Sequence, residues 1–397
     1  MTAVTRFIQL VLILFVASSL MACNMLPWRV TAGPVMSASV SSDGQYAVTS
    51  HRDNRLYLWD LDSRKREHIS DQANLYSAHF VPGRDLFAYQ DLEKRVHVQS
   101  VTGETVKTFE LPEATYGNHF TSDLESFYYS DIGWGIHRRS ADGDVQTFKA
   151  SDGKAFKGYG KLLNLTIDDN KQLLLSAGWG EAKRLDERGY HSLEEERERS
   201  TNYERLNYVA LWDPDAGEPL AKLSGNSAKA YATISPDGQW VISGDENMQG
   251  FFWNTDKPEE RHRLASYRLG IYQDDAPYQA GDRRNWDDSE LIEAPDGLSG
   301  RTLALAFIHE SEYFLRFGNG SHKVALYKTG NPWPQKYFDL GDSPELVTYG
   351  SQYSRNTAIA TSPQAGVLVM GHRDSGGVSV YEFDEQALTL ERTWVVQ

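Results

Sequence analysis

The chain has 397 residues, with 40 Lys and Arg against 55 Asp and Glu, a formal charge of −15 at pH 7 and a sequence pI near 5.2. So acidic a chain is a poor match for DNA or RNA, whose phosphates need a basic face, and it opposes direct adhesion to anionic lipid. Aromatic residues make up 12%, with 21 Tyr and 10 Trp, which suits a strand-rich protein; the single cysteine leaves no intrachain disulfide to form.

Residues 1–22 read as a secretion signal rather than as part of the fold. Arg6 marks a basic start, Phe7 to Val16 is apolar except for Gln9, and Ala17, Ser18 and Ser19 follow. The segment is too short and wrongly flanked for a spanning helix. It ends in Leu20-Met21-Ala22-Cys23, which resembles the bacterial lipoprotein signal. That resemblance implies cleavage before Cys23 and lipidation of Cys23 by palmitate-type acyl chains, two or three of which anchor a protein stably. Residues 23–34 then form a short tether of at most about 35 Å. Asn24 resembles the class sent to the outer membrane, whereas Asp at that place accompanies inner-membrane retention. The expected location is the bacterial cell envelope, lipid-anchored at the outer membrane and facing the periplasm.

From residue 35 to the end a β-type unit of about forty residues recurs seven times. Its clearest copy reads Val40-Ser41-Ser42-Asp43-Gly44, Tyr46-Ala47-Val48-Thr49-Ser50 and Arg55-Leu56-Tyr57-Leu58-Trp59-Asp60, that is, strand, tight Asp-Gly turn, strand, polar hairpin, strand ending in Trp-Asp. A second copy runs Ile234-Ser235-Pro236-Asp237-Gly238, Trp240-Val241-Ile242-Ser243-Gly244 and Gly250-Phe251-Phe252-Trp253-Asn254. The remaining copies begin near Tyr76, Tyr116, Leu163, Arg301 and Asn356. The unit resembles the WD-repeat family, and the resemblance implies an all-β fold, a seven-bladed β-propeller over residues 35–397. The Gly-His pair that the family often carries before each first strand is missing, so its internal His-Asp network is not expected here. Two closure schemes are open: blade 7 takes its outer strand from Thr389 to Val396, or Trp28 to Ala32 closes the ring.

Three interruptions break the period, near 181–205, 270–300 and 342–355. Strand order places all three on the face that carries the hairpins between second and third strands. Gly133-Trp134-Gly135 and Gly178-Trp179-Gly180 fall on the same face, and Trp is enriched in binding hot spots. His51-Arg52-Asp53 in blade 1 and His372-Arg373-Asp374 in blade 7 are neighbours once the ring closes; the Asp of such a hairpin ordinarily accepts amides of its own turn. Tyr272, Tyr278 and Trp286 lie in the second, acidic insertion. The partner-binding candidates are therefore Trp134, Trp179, Tyr272, Tyr278, Trp286, His51, Arg52, His372 and Arg373.

Phosphate-binding glycine loops and a Gly-x-Ser-x-Gly elbow are absent from the sequence, so no cofactor is expected and no catalytic residue is assigned. Asp274, Asp275, Asp282, Asp287, Asp288, Glu290, Glu293 and Asp296 could gather Ca²⁺, but they lack EF-hand spacing and read better as a solvated loop. His79 and His119 occupy equivalent places on adjacent first strands; a His pair can bind metal, and the simpler reading gives each an ordinary hydrogen-bond partner. The function expected is a membrane-anchored scaffold that holds an envelope protein on its insertion-bearing face. The alternative is a propeller enzyme or binding protein for envelope polysaccharide, with His51, Asp53, His372 and Asp374 as its only nameable groups.

Overall fold

The computed structural model describes residues 33–115, 117–131, 135–149, 164–168, 173–177, 208–226, 230–245, 250–264, 302–318, 323–340, 358–372 and 376–396. They form seven four-stranded antiparallel sheets, each in simple up-and-down order. The seven-bladed architecture is the one the repeat predicts. Blade 1 consists of Val35–Val40, Tyr46–His51, Leu56–Asp60 and Lys65–Ser70, from inner to outer strand. Blades 2 to 7 span 79–110, 117–147, 164–224, 230–263, 302–339 and 359–396.

The turns show why the repeat has its sequence. At the first turn, Ser41, Thr121 and Ser235 each donate a hydroxyl to Asp43, Asp123 and Asp237, all at 2.5 Å. The same hydroxyl oxygens accept the amides of Tyr46, Ser126 and Trp240 at 2.9–3.0 Å. Each Asp accepts the amide two residues on, and Gly44 and Gly238 follow with φ of 74° and 68°, where a side chain would be strained. At the third turn the residue after Trp does comparable work. Asp60 accepts the Ser63 amide, Asp213 those of Asp215 and Ala216, and Asn254 that of Asp256. Asp384 accepts the amides of Gln386 and Ala387 although Phe383, not Trp, precedes it.

The core lies between blades. Val48, Leu58, Phe80 and Phe87 fill the space between blades 1 and 2. Leu211, Leu223, Ile234 and Trp253 do so between blades 4 and 5, and Leu315, Leu326, Leu368 and Met370 between 6 and 7. Trp59, Trp212 and Trp253 are fully buried. Truncating such a side chain costs about 3–5 kcal/mol.

Of the two closure schemes, the first is realised: Val378–Asp384 pairs with Thr389–Val396, so blade 7 draws all four strands from the chain's own end. Blades 1 and 7 meet through packing and single bonds. The Val35 amide donates to the His372 carbonyl (3.1 Å), and the Ser362 hydroxyl to the Ser42 carbonyl (2.6 Å).

Candidate functional site

In each blade the hairpins between second and third strands, and the crossovers to the next blade, leave from one edge of the sheet. The segment holding 181–205 joins Leu173–Ala177 to Tyr208–Asp213; those holding 270–300 and 342–355 join the outer strands Lys257–Arg263 and Pro334–Asp339 to the next inner strands. All three connections therefore leave from that edge. The insertions themselves lie outside the described residues, as do Cys23, Trp134, Trp179, Tyr272, Tyr278, Trp286, Arg373 and Asp374.

Blades 1 to 3 show how this face is held. In blade 1 the Trp59 indole N–H donates to Thr49 Oγ1 (2.8 Å), which lies 2.8 Å from His51 Nε2. His51 Nδ1 lies 2.8 Å from the Gly33 carbonyl. A carbonyl only accepts, so Nδ1 carries the proton and Nε2 accepts from Thr49. Burial, only partly offset by the Gly33 bond, lowers the His51 pKa to about 4 and keeps the ring neutral. A bonded network thus exists in blade 1, but its histidine comes from the end of the second strand.

His51 and His372 are 0% and 1% exposed. Both were expected on the surface as partner contacts; instead each ring is spent inside the sheet, His372 lying with its Nε2 2.8 Å from Ser379 Oγ. Neither is placed to act as an acid or base on an outside substrate. Arg52 and Asp53 are exposed, and Asp53 accepts the amides of Gly33 (3.0 Å) and Arg55 (3.4 Å).

Blades 2 and 3 repeat a device at an offset of forty residues. Asp91 accepts the Arg95 amide (2.9 Å), Arg95 Nε (2.8 Å) and His97 Nε2 (2.9 Å). Asp131 accepts the Gly135 amide (2.9 Å) and His137 Nε2 (2.7 Å). The His97 and His137 rings stack on Tyr89 and Tyr129, each at 5.0 Å. Burial pushes the Asp91 carboxyl upward, but the bonds from His97 and Arg95 prevail and hold it below the usual range. Burial, aided by Glu113 and Asp131, pushes the Tyr129 phenol up to about 12. A Cβ at Gly135 would lie 2.8 Å from Asp131 Oδ2 and 2.9 Å from His137 Nε2, which is why glycine closes the Gly133-Trp134-Gly135 hairpin.

Gln90, fully buried, ties the crossovers to these hairpins. Its Nε2 donates to the Glu113 carbonyl (3.0 Å), and its Oε1 accepts from Asn74 Nδ2 (3.1 Å) and the Thr115 amide (2.9 Å). On this bonded platform the tip residue Leu92 stands 57% exposed, beside exposed Glu93 and Lys94. Sequence reasoning missed Leu92 and the two Asp–His pairs. The spacing Tyr89-x-Asp91 to His97, repeated as Tyr129-x-Asp131 to His137, was a legible signal; an apolar residue at a polar hairpin tip was a weaker one.

Among the described residues, two places hold groups of metal-ligand type. On the opposite edge, between blades 6 and 7, ligand atoms of His309, Glu312 and Glu385 lie within 4.8 Å of one another. There His309 Nε2 contacts Glu385 (2.9 Å), and Lys328 already supplies a cation to Glu312 at 2.6 Å. The other place is the His79–His119 pair, whose rings lie 5.9 Å apart and 20° from parallel. The ordinary partners expected for this pair are only partly found: His79 Nδ1 bonds the Ser77 carbonyl at 3.2 Å, while both Nε2 atoms lack one among the described residues.

Fold and face together define a class, a seven-bladed β-propeller with its long connections on one edge. In sequence, residues 28–60 match the family model described as WD domain, G-beta repeat. No curated protein matches the chain in sequence. In structure it is similar to the β-propeller domain of Cps50 (Swd1) from Myceliophteria thermophila, with a TM-score of 0.57 at 9% identity over 89% of this chain and 98% of that one. At that identity the likeness speaks for the fold alone.

Proposed function

We propose that the protein is a lipid-anchored scaffold of the bacterial envelope, tethered through Cys23 at the outer membrane, that holds a protein partner on the face carrying the long connections. The observation that carries the reading is the platform of blades 1 to 3. Buried Gln90 and Asp91 and half-buried Asp131 fasten hairpins and crossovers by hydrogen bonds, and Leu92 and Arg52 are displayed on that base. A rigid frame that presents an apolar tip among charges lowers the ordering cost of association. Trp134, Trp179, Tyr272, Tyr278, Trp286 and Arg373 are the further contacts proposed from sequence.

The test is crosslinked affinity purification of the full chain from its own cells. Wild type is compared with Leu92→Asp, with Trp134→Ala/Trp179→Ala, and with Lys328→Ala on the opposite edge. A stoichiometric protein lost in the first two and kept in the third supports the reading. A partner retained in both face variants, or lost only with Lys328→Ala, overturns it. For the anchor, Cys23→Ser should release the protein from the membrane fraction; retention there would sink that part.

A further inference from the structure

His79 and His119 sit on the innermost strands of blades 2 and 3, at the place where blade 1 carries Ser39. The Ser39 hydroxyl accepts the Phe80 amide at 2.9 Å, so in blade 1 this position bonds across to the next blade. In blades 2 and 3 it carries imidazoles, and the chemistry differs. His79 is 9% exposed, and the Nε2 atoms of both rings are shut off from solvent. Among the described residues neither Nε2 has a hydrogen-bond partner. The Ser77 carbonyl, 3.2 Å from His79 Nδ1, can only accept. It therefore fixes the proton on Nδ1 and leaves a lone pair on Nε2, which is how metal-binding histidines are oriented by their outer partners.

We propose that His79 and His119 jointly bind a borderline transition-metal cation, of the Zn²⁺, Cu²⁺ or Ni²⁺ type, through their two Nε2 lone pairs. Neutral imidazole suits these ions, and hard cations such as Ca²⁺ and Mg²⁺ prefer oxygen donors. With two protein ligands the remaining coordination positions fall to water that enters with the ion, because both Nε2 atoms are shut off from solvent. Burial, only partly offset by the Ser77 carbonyl and the Asn118 side chain, lowers the pKa of His79 to about 4 and, with the neighbouring ring, that of His119 to about 3, so both rings are unprotonated at neutral pH. The competing occupant is one water donating an O–H to each ring. It would satisfy the same atoms and leave no affinity for metal.

The experiment uses the full chain after dialysis against chelator, with Cu²⁺ and Zn²⁺ as the probes. Metal is titrated calorimetrically into wild type, His79→Ala, His119→Ala, His119→Phe and His309→Ala, with circular dichroism of the metal-free proteins as the folding control. The proposal expects one tight equivalent in wild type and in His309→Ala. It expects a loss of about tenfold or more in affinity in each variant of the pair. The Cu²⁺ electron paramagnetic resonance spectrum of wild type should show coupling to two imidazole nitrogens. His119→Phe keeps an aromatic ring there and guards against a mere folding defect. Absence of binding in wild type, which favours the bridging water, or binding unchanged in folded pair variants overturns the proposal. Loss in His309→Ala alone would move the site to the opposite edge and overturn it equally.

Discussion

Replacing Thr49 by Val keeps the shape of a fully buried side chain and deletes one oxygen. That oxygen is the middle of a chain from Trp59 Nε1 to His51 Nε2, both at 2.8 Å. The variant strands a buried donor and a buried acceptor at once. Each orphaned group costs about 1–3 kcal/mol, so the pair predicts roughly 2–6 kcal/mol. The methyl that replaces the hydroxyl returns up to about 1 kcal/mol, which centres the expectation near about 3 kcal/mol. Ser176→Ala in blade 4 removes the corresponding acceptor of Trp212 Nε1, also at 2.8 Å, with no histidine beyond it. Its loss should be about half as large. Urea unfolding followed by tryptophan fluorescence measures both. A Thr49→Val loss below about 1 kcal/mol, or one equal to that of Ser176→Ala, would refute the view that His51 depends on this hydroxyl.

Gly371 faces blade 1 so closely that a Cβ there would lie 2.6 Å from Val35 Cβ and 2.9 Å from Ala358 Cβ. Gly371→Ala should cost about 1–3 kcal/mol by overpacking, and proteolysis should begin at blades 1 and 7; unchanged urea midpoints would contradict this. Acid should weaken the fold through His51, whose pKa falls from 6.5 to about 4 on folding. The unfolded chain binds the proton first, so stability declines as pH drops below about 6.5 and the loss levels off below about 4, at roughly 3 kcal/mol. His79 and His119 act in the same direction, and an unfolding midpoint that stays flat from pH 7 to pH 5 would remove the argument. Leu92→Asp should abolish partner capture while moving stability by no more than about 0.5 kcal/mol, since the side chain is 57% exposed; a large loss of stability would mean that Leu92 supports the fold instead.

The fold was legible because its repeated residues have local duties. Ser41 with Asp43 and Ser235 with Asp237 shape their turns, and Asp60 and Asn254 cap others, so each copy carries its own geometry in sequence. The site was less legible because its expected residues depend on ring closure. His51 and His372 looked like hairpin-tip residues. In the sheet their rings turn inward, because Thr49 and Ser379 lie within hydrogen-bond reach on neighbouring positions. Gln90 gave no signal at all; its role arises from two crossovers, at Asn74 and at Glu113 to Thr115, that sequence cannot bring together.

Ring closure links these strands of argument. Blades 1 and 7 are each complete, so the seam has no shared sheet to hold it. Besides the Ser362–Ser42 bond, the start of the fold holds it: the Val35 amide reaches the His372 carbonyl, and on the blade 1 side the Arg52 amide reaches the Pro34 carbonyl at 2.8 Å. Gly33 bonds His51 through its carbonyl and Asp53 through its amide. The hairpin that shows Arg52 and Asp53 to solvent is thus tied at its base to Gly33 and Pro34, the residues just before the first strand. Gly33 and Pro34 join the blade 1 hairpin to the strand that meets blade 7. A partner that rests on the blade 1 hairpin should therefore slow opening between blades 1 and 7. Amide exchange at Val35 and Arg52, measured with and without partner, reads that coupling directly, and equal exchange in the two states would show that the hairpin and the seam act independently.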